Sequence, residues 1–155
     1  MSPFLDPVTI AAFHDDGAVV IRGMFDDWVD ELAAGIVRNE AEPSEFFSEN
    51  VRDGELGRFW DDYCNWQRIP EFERFIRESK VASIAGELMQ SEIVQLFHDH
   101  VLVKDGGTAT PTPWHSDSPY YFVEGMQTVS VWLPLDQVDH ATLRLIKGSH
   151  RWEHD

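Results

Sequence analysis

The sequence predicts an α+β domain in which helices fill residues 1 to about 91 and an antiparallel sandwich or barrel occupies about 92–155. Three observations carry this. At 155 residues the chain is one domain's worth, 1–155, because domains most often run about 100 to 150 residues. Up to Met89 the apolar residues recur at helical spacing, and from Glu92 onward they alternate. The composition, 43% hydrophobic and 26% charged, is that of a chain with enough apolar surface to fold.

Asp6 followed by Pro7 is an N-cap with proline at the first helical position; Ile10, Ala11 and Phe13 form a stripe and Gly17 ends it. This predicts a helix over about 7–15. Ala18-Val19-Val20-Ile21, closed by Gly23, reads as a short buried strand. Asp26 or Asp27 caps a second helix whose buried face carries Trp28, Leu32, Ile36 and Val37. Residues 42–58, polar and holding Pro43, Gly54 and Gly57, read as a loop. Pro70 opens a helix through Phe72, Phe75 and Ile76, and Ser79 precedes another through Val81, Ile84, Leu88 and Met89. Strands are then expected at 93–104, 114–122, 126–135 and 142–147.

Twenty-eight acidic against twelve basic residues leave a net charge of −16. That excludes a nucleic-acid or anionic-membrane partner, since both need a positive face. A small molecule is the expected partner, and a second copy of the chain is also admitted. Cys64, the single cysteine, cannot close an intrachain disulfide. The first residues lack a basic, apolar leader, and no stretch approaches the roughly 20 apolar residues of a membrane span, so a cytoplasmic protein is expected.

Candidate chemistry begins at the strand expected over 93–104. Alternation sends His98, His100, Leu102 and Lys104 to one face and Phe97, Asp99, Val101 and Val103 to the other. The basic face is either a solvent face or the wall of a polar cavity. A loop rich in Gly, Thr and Pro then delivers Trp114-His115-Ser116-Asp117. On an extended strand His115 and Asp117 share a face, roughly 7 Å apart at the backbone, and their nitrogen and oxygen can meet on one metal ion. Spacing alone proves little. Seven histidines among twenty-eight acids predict between one and two such pairs by chance, and two exist. The other, His14 with Asp16, falls at a helix end, where i and i+2 diverge. His140 and His150 are weaker ligand candidates, in a polar turn and beside Gly148-Ser149. On the strand expected over 126–135, Thr128, Ser130 and Trp132 share a face that either lines a pocket or packs in the core.

Four ordered blocks, Phe97-His98-Asp99-His100-Val101-Leu102-Val103-Lys104, Pro113-Trp114-His115-Ser116-Asp117-Ser118-Pro119-Tyr120-Tyr121, Val131-Trp132-Leu133-Pro134-Leu135-Asp136 and Gly148-Ser149-His150-Arg151-Trp152, resemble the phytanoyl-CoA dioxygenase family. Asp16-Gly17-Ala18-Val19-Val20-Ile21 is similar to its N-terminal strand. The resemblance implies helices packed on a double-stranded β-helix, a jelly roll of the cupin type, and iron(II) with 2-oxoglutarate as cosubstrate. By that resemblance His115 and Asp117 are metal ligands, His98 and Trp132 line the 2-oxoglutarate pocket, and Lys104 stands at its rim. Ser116 replaces the glutamine of many members, and Gly148-Ser149-His150 corresponds to a structural turn. The third ligand and the arginine that pairs with 2-oxoglutarate are expected beyond Asp155, so the jelly roll is expected to be incomplete at its C-terminal end, as in a truncated chain.

The implied function is hydroxylation of a small organic molecule or acyl derivative by an iron(II)/2-oxoglutarate-dependent dioxygenase. The alternative is a non-catalytic jelly-roll module, or a half-domain completed by a partner chain. A cupin-type hydrolase or isomerase using the same ligands ranks below both.

Overall fold

A computed structural model describes residues 3–50, 57–108, 111–123, 125–138 and 142–152. Helix α1 spans Pro7–Asp16, as the cap predicts. The Asp6 carboxylate accepts the backbone N–H groups of Val8 and Thr9, both at 2.9 Å. These donors, Thr9 foremost, hold that carboxyl below its ordinary range. At the other end Gly17 turns left-handed at φ 83° and donates its N–H to the Phe13 carbonyl. Ile10 and Phe13 rest on a small core of Leu5, Ile84 and Leu88, so α1 packs on the last helix of the chain.

A 3₁₀ turn at Asp26–Trp28 leads into α2, Val29–Ala41. Leu32 is buried and Ile36 half-buried, but Val37 is 68% exposed. The expected four-residue face loses Val37 because one residue past Ile36 is a rotation of about 100°. Helix α3, Pro70–Glu78, crosses α2 where Gly35 lets the Phe72 ring approach; a Cβ there would meet that ring at 2.5 Å. Helix α4 spans Val81–Met89 and ends at Gln90 in a left-handed turn.

The sheet has three antiparallel strands in the order β1-β2-β3. They are β1, Ser48–Glu49, β2, Phe59–Tyr63, and β3, His100–Lys104. The central strand was not expected. Two consecutive aspartates argue against a strand on propensity, yet Asp62 is fully buried. It accepts from Asn39 Nδ2 at 2.7 Å, Ser44 N at 2.9 Å, the Ser44 hydroxyl, Tyr63 N at 2.9 Å and Arg68 Nη2 at 3.5 Å. Burial pushes its carboxyl up, but the Ser44 and Asn39 hydrogen bonds outweigh that and hold it below the ordinary value. The main core lies on one side of this strand: Trp60, Leu32, Ile69, Phe72, Phe75 and Val101.

Five expected strands need correction. The 18–21 stretch forms no ladder; Val19 and Ile21 rest on the small core while Val20 is 76% exposed. The strand expected over 93–104 begins only at His100. Upstream, the Asp99 carboxylate accepts the N–H groups of Asn65 and Trp66, and its carbonyl accepts that of Cys64, which stands at φ 58°. Asp99 is thereby committed to holding a turn. Among the described residues 114–122, 126–135 and 142–147 have no ladder partner, and 3₁₀ turns occupy Ser118–Tyr120 and Ser149–Arg151. Alternation marks which residues face inward; only a paired neighbour makes a strand. Along 126–135 the alternation is only partly kept: Val129 meets the small core and Leu133 and Leu135 the main one, but Val131 is 45% exposed. The described fold is therefore mixed helix and a small three-stranded antiparallel sheet, without the closed double-stranded β-helix.

Candidate functional site

His115 and Asp117 do come together, by a different local geometry from the one expected. Asp117 has helical dihedrals, φ −75° and ψ −26°, and its carbonyl accepts the Tyr120 N–H, so a turn and not a pleat folds its carboxylate back. His115 Nε2 lies 3.2 Å from Asp117 Oδ1, and His115 Nδ1 lies 2.8 Å from the Pro113 carbonyl oxygen. A carbonyl only accepts, so Nδ1 carries the proton and the lone pair of the neutral ring sits on Nε2. That lone pair faces a carboxylate oxygen. Two acceptors at this distance need a positive charge between or beside them: a proton on the imidazole, or a cation.

The donor set suits iron(II). Bonds of about 2.0 to 2.2 Å at a right angle place nitrogen and oxygen roughly 3 Å apart, which matches the observed separation. The Pro113 carbonyl supplies the outer hydrogen bond that orients a ligating histidine. Among the described residues no group of three or more His, Cys, Asp or Glu side chains is placed to hold a metal, so the pair accounts for two positions. The two side chains are 44% and 55% exposed, on an open face and not in an enclosed hollow. His140 lies outside the described residues.

A polar and aromatic cluster adjoins the pair. Tyr120 stands with its ring 6.3 Å from that of His115. Tyr121 meets His98 edge-on at 6.0 Å, and His98 lies 5.7 Å from Tyr63 of β2. Register pairs Tyr63 with His100, and the two rings stack at 3.8 Å. His100 Nε2 faces Asp61 Oδ2 at 3.3 Å, and the other Asp61 oxygen accepts from the Asn50 amide. Burial lowers the affinity of His100 for a proton, partly offset by Asp61. Burial first, then Asp61, Tyr121, Asp117 and Tyr120, raises the Tyr63 phenol.

His98 is thus part of the cluster beside the candidate pair, through Tyr121. Lys104 is not: it lies four residues along β3 from His100, roughly 13 Å, with its ammonium over the Phe59 ring at 5.2 Å. Trp132 is 44% exposed, and among the described residues no ring contact joins it to the cluster. His150 serves as a turn residue, its Nε2 donating to the His14 carbonyl at 3.0 Å. Asp61, Tyr63 and His100 as a group were missed. A signal existed in the alternation of Phe59, Asp61 and Tyr63, but without the strand assignment it had no meaning.

Comparison with known families places the chain in one of them. The chain belongs to the phytanoyl-CoA dioxygenase family, whose model, Phytanoyl-CoA dioxygenase (PhyH), matches residues 13–155. No curated protein and no solved structure matches it. The family is generally iron(II)- and 2-oxoglutarate-dependent and implies a cupin-like fold and an oxygenase class of activity. Among the described residues no helix is long and apolar enough to cross a membrane.

Proposed function

We propose that the chain acts as an iron(II)/2-oxoglutarate-dependent dioxygenase that hydroxylates a small organic molecule, with His115 and Asp117 as two protein ligands and a third from outside the described residues. The carrying observation is His115 Nε2 set 3.2 Å from Asp117 Oδ1, in a chain that the family model matches over residues 13–155. When bound, iron(II) with 2-oxoglutarate supplies the oxidising power for C–H hydroxylation. The chain's own residues do the rest. Pro113 fixes the His115 tautomer, and the turn at Asp117 sets the carboxylate beside it. His98, ringed by Phe97, Tyr63 and Tyr121, is the side chain nearest in kind to a 2-oxoglutarate wall. Trp132 and Lys104, apart from it among the described residues, are assigned no direct contact.

Manganese(II), a paramagnetic stand-in for iron(II), tests the ligand pair residue by residue. It is expected to broaden the NMR signals of residues 113–121 first, and His115→Ala or Asp117→Ala is expected to abolish that broadening. Even broadening over the whole acidic surface would remove the assignment. Turnover of 2-oxoglutarate to succinate with iron(II) and ascorbate then tests the reaction class.

A second reading, a non-catalytic half-domain completed by a partner, draws on the exposure of Trp114, Phe122, Met126 and Leu145. It expects a mass that rises with protein concentration and no manganese-specific broadening at residues 113–121.

A further inference from the structure

The aromatic file beside the metal pair has a definite electrostatic character. Phe122, Phe97, His98, Tyr63 and His100 follow one another with ring centroids 4.8, 5.0, 5.7 and 3.8 Å apart, and Tyr121 packs against both Phe97 and His98. Aromatic faces are electron-rich and attract cations. The chain makes its own cation–π contacts over other rings, those of Trp28, Trp66, Phe4, Phe59 and Trp114. The polar atoms in the file point the same way. Because Asp61 accepts at His100 Nε2, that nitrogen carries the proton and Nδ1 presents a lone pair. Asp61 itself is a carboxylate lodged in β2 with 11% of its side chain exposed.

The Tyr63 hydroxyl reports the resulting field. Burial comes first among the causes that raise its pKa, and the carboxylates of Asp61 and Asp117 add to it. Those two carboxylates, and not the burial, discriminate by sign: they oppose a further anion and favour a cation. The net charge of −16 adds a long-range field of the same sign, which concentrates cations and repels a polyanionic acyl carrier. A metal ion at His115 and Asp117 would offset the Asp117 charge but leave that of Asp61.

We propose that Tyr63, His98, His100 and Tyr121, backed by the Asp61 carboxylate, anchor a small organic ammonium ion, so that the site takes a cationic metabolite as its substrate. That the cation is a substrate rests on the oxygenase reading; its binding does not, because it needs no metal.

NMR titration of the labelled protein in EDTA, at matched ionic strength, tests this with choline chloride against its neutral isostere 3,3-dimethylbutan-1-ol. Choline is expected to move the signals of Tyr63, His98, His100 and Tyr121 and to bind roughly tenfold more tightly than the alcohol. Asp61→Asn should close that gap. Tyr63→Phe should keep choline binding and Tyr63→Leu should lose most of it, a contrast that stands even where the Asp61 variant disturbs β2. Equal binding of the two compounds, shifts confined to other residues, or an unchanged Tyr63→Leu variant overturns the proposal. Manganese(II) separates the two readings. Choline selectivity without broadening at His115 and Asp117 keeps the cation anchor and removes the oxygenase; broadening without choline selectivity does the reverse.

Discussion

Residues 3–108 and residues 111–152 are held in different ways. In the first region Trp60, Ile69, Asn39, Asn65 and Asp62 are essentially shut off from solvent, and β2 is paired on both sides. In the second no described residue is buried, and Trp114, Tyr120, Phe122 and Met126 stand more than half exposed. Yet the candidate metal ligands belong to the second. The scaffold that supplies rigidity is thus built from β2, β3 and the helices, while the candidate ligands sit on a segment anchored at a few points. Those points include Val129, Leu133 and Leu135 in the cores, the Tyr121 and Phe122 rings against Phe97, and the 147–151 turn against the end of α1. Loops on a rigid support are where binding residues usually sit.

The sharpest way to break the contrast is to unmake the scaffold. Asp62→Ala strands the donors of Asn39, Ser44 and Arg68 and is expected to cost about 3 kcal/mol in urea denaturation. Acid should act on the same group. Its folded pKa lies below the ordinary 3.8, so its stabilisation is complete well above that value and is lost as pH falls below it. An Asp62→Asn chain should show a flatter acid limb in the pH dependence of its urea midpoint.

A smaller effect is expected where the two regions are stitched together. Gly17 is left-handed, and a Cβ there would stand 2.3 Å from His150 Nδ1. Gly148 N donates to the Asp16 carbonyl at 2.8 Å and Lys147 pairs with Asp16 at 2.8 Å, so this contact ties the end of α1 to the 147–151 turn. Gly17→Ala is expected to cost about 1 to 3 kcal/mol. Faster hydrogen exchange at the Gly148 amide, with Trp60 unchanged, would locate the damage at the seam.

His100 offers a milder probe. Burial depresses its folded pKa below the ordinary 6.5, so the neutral ring is the folded form and stability declines as pH falls below 6.5. NMR titration of its ring protons should give a midpoint under 6.5. Asp61→Asn, which removes the partner that favours the charged ring, should lower it further; a midpoint at or above 6.5 contradicts the burial.

The smallest stability effect belongs to the metal pair. His115→Ala and Asp117→Ala, being exposed, should each stay within about 0.5 kcal/mol in stability, while removing manganese broadening at residues 113–121. A large loss of stability from either would assign the pair a structural role.

Much of the helical half was legible. The caps at Asp6 and Gly17 and the prolines at 7 and 70 act within one or two turns of themselves, so α1 and α3 begin where expected and α4 falls on its apolar stripe. Val37 slipped because its neighbour, not its period, placed it on the face. The later strands were legible only in part: Val129, Leu133 and Leu135 turn inward, Val131 on the same alternation stays exposed, and no ladder forms among the described residues. Of the site, the pairing of His115 with Asp117 was foreseen, but on a pleat where the structure uses a turn.

What the chain order alone determined is whatever depends on residues near one another in sequence: the helix starts and stops, and the blocks that place it in the phytanoyl-CoA dioxygenase family over 13–155. Tertiary structure alone decided that a run with two aspartates becomes the central strand, since its donors come from Asn39 and Ser44, 23 and 18 residues away. It also decided that Asp61 and His100, separated by 39 residues, meet beside Tyr63. A buried carboxylate is affordable only once distant donors converge on it, and no local pattern encodes that convergence.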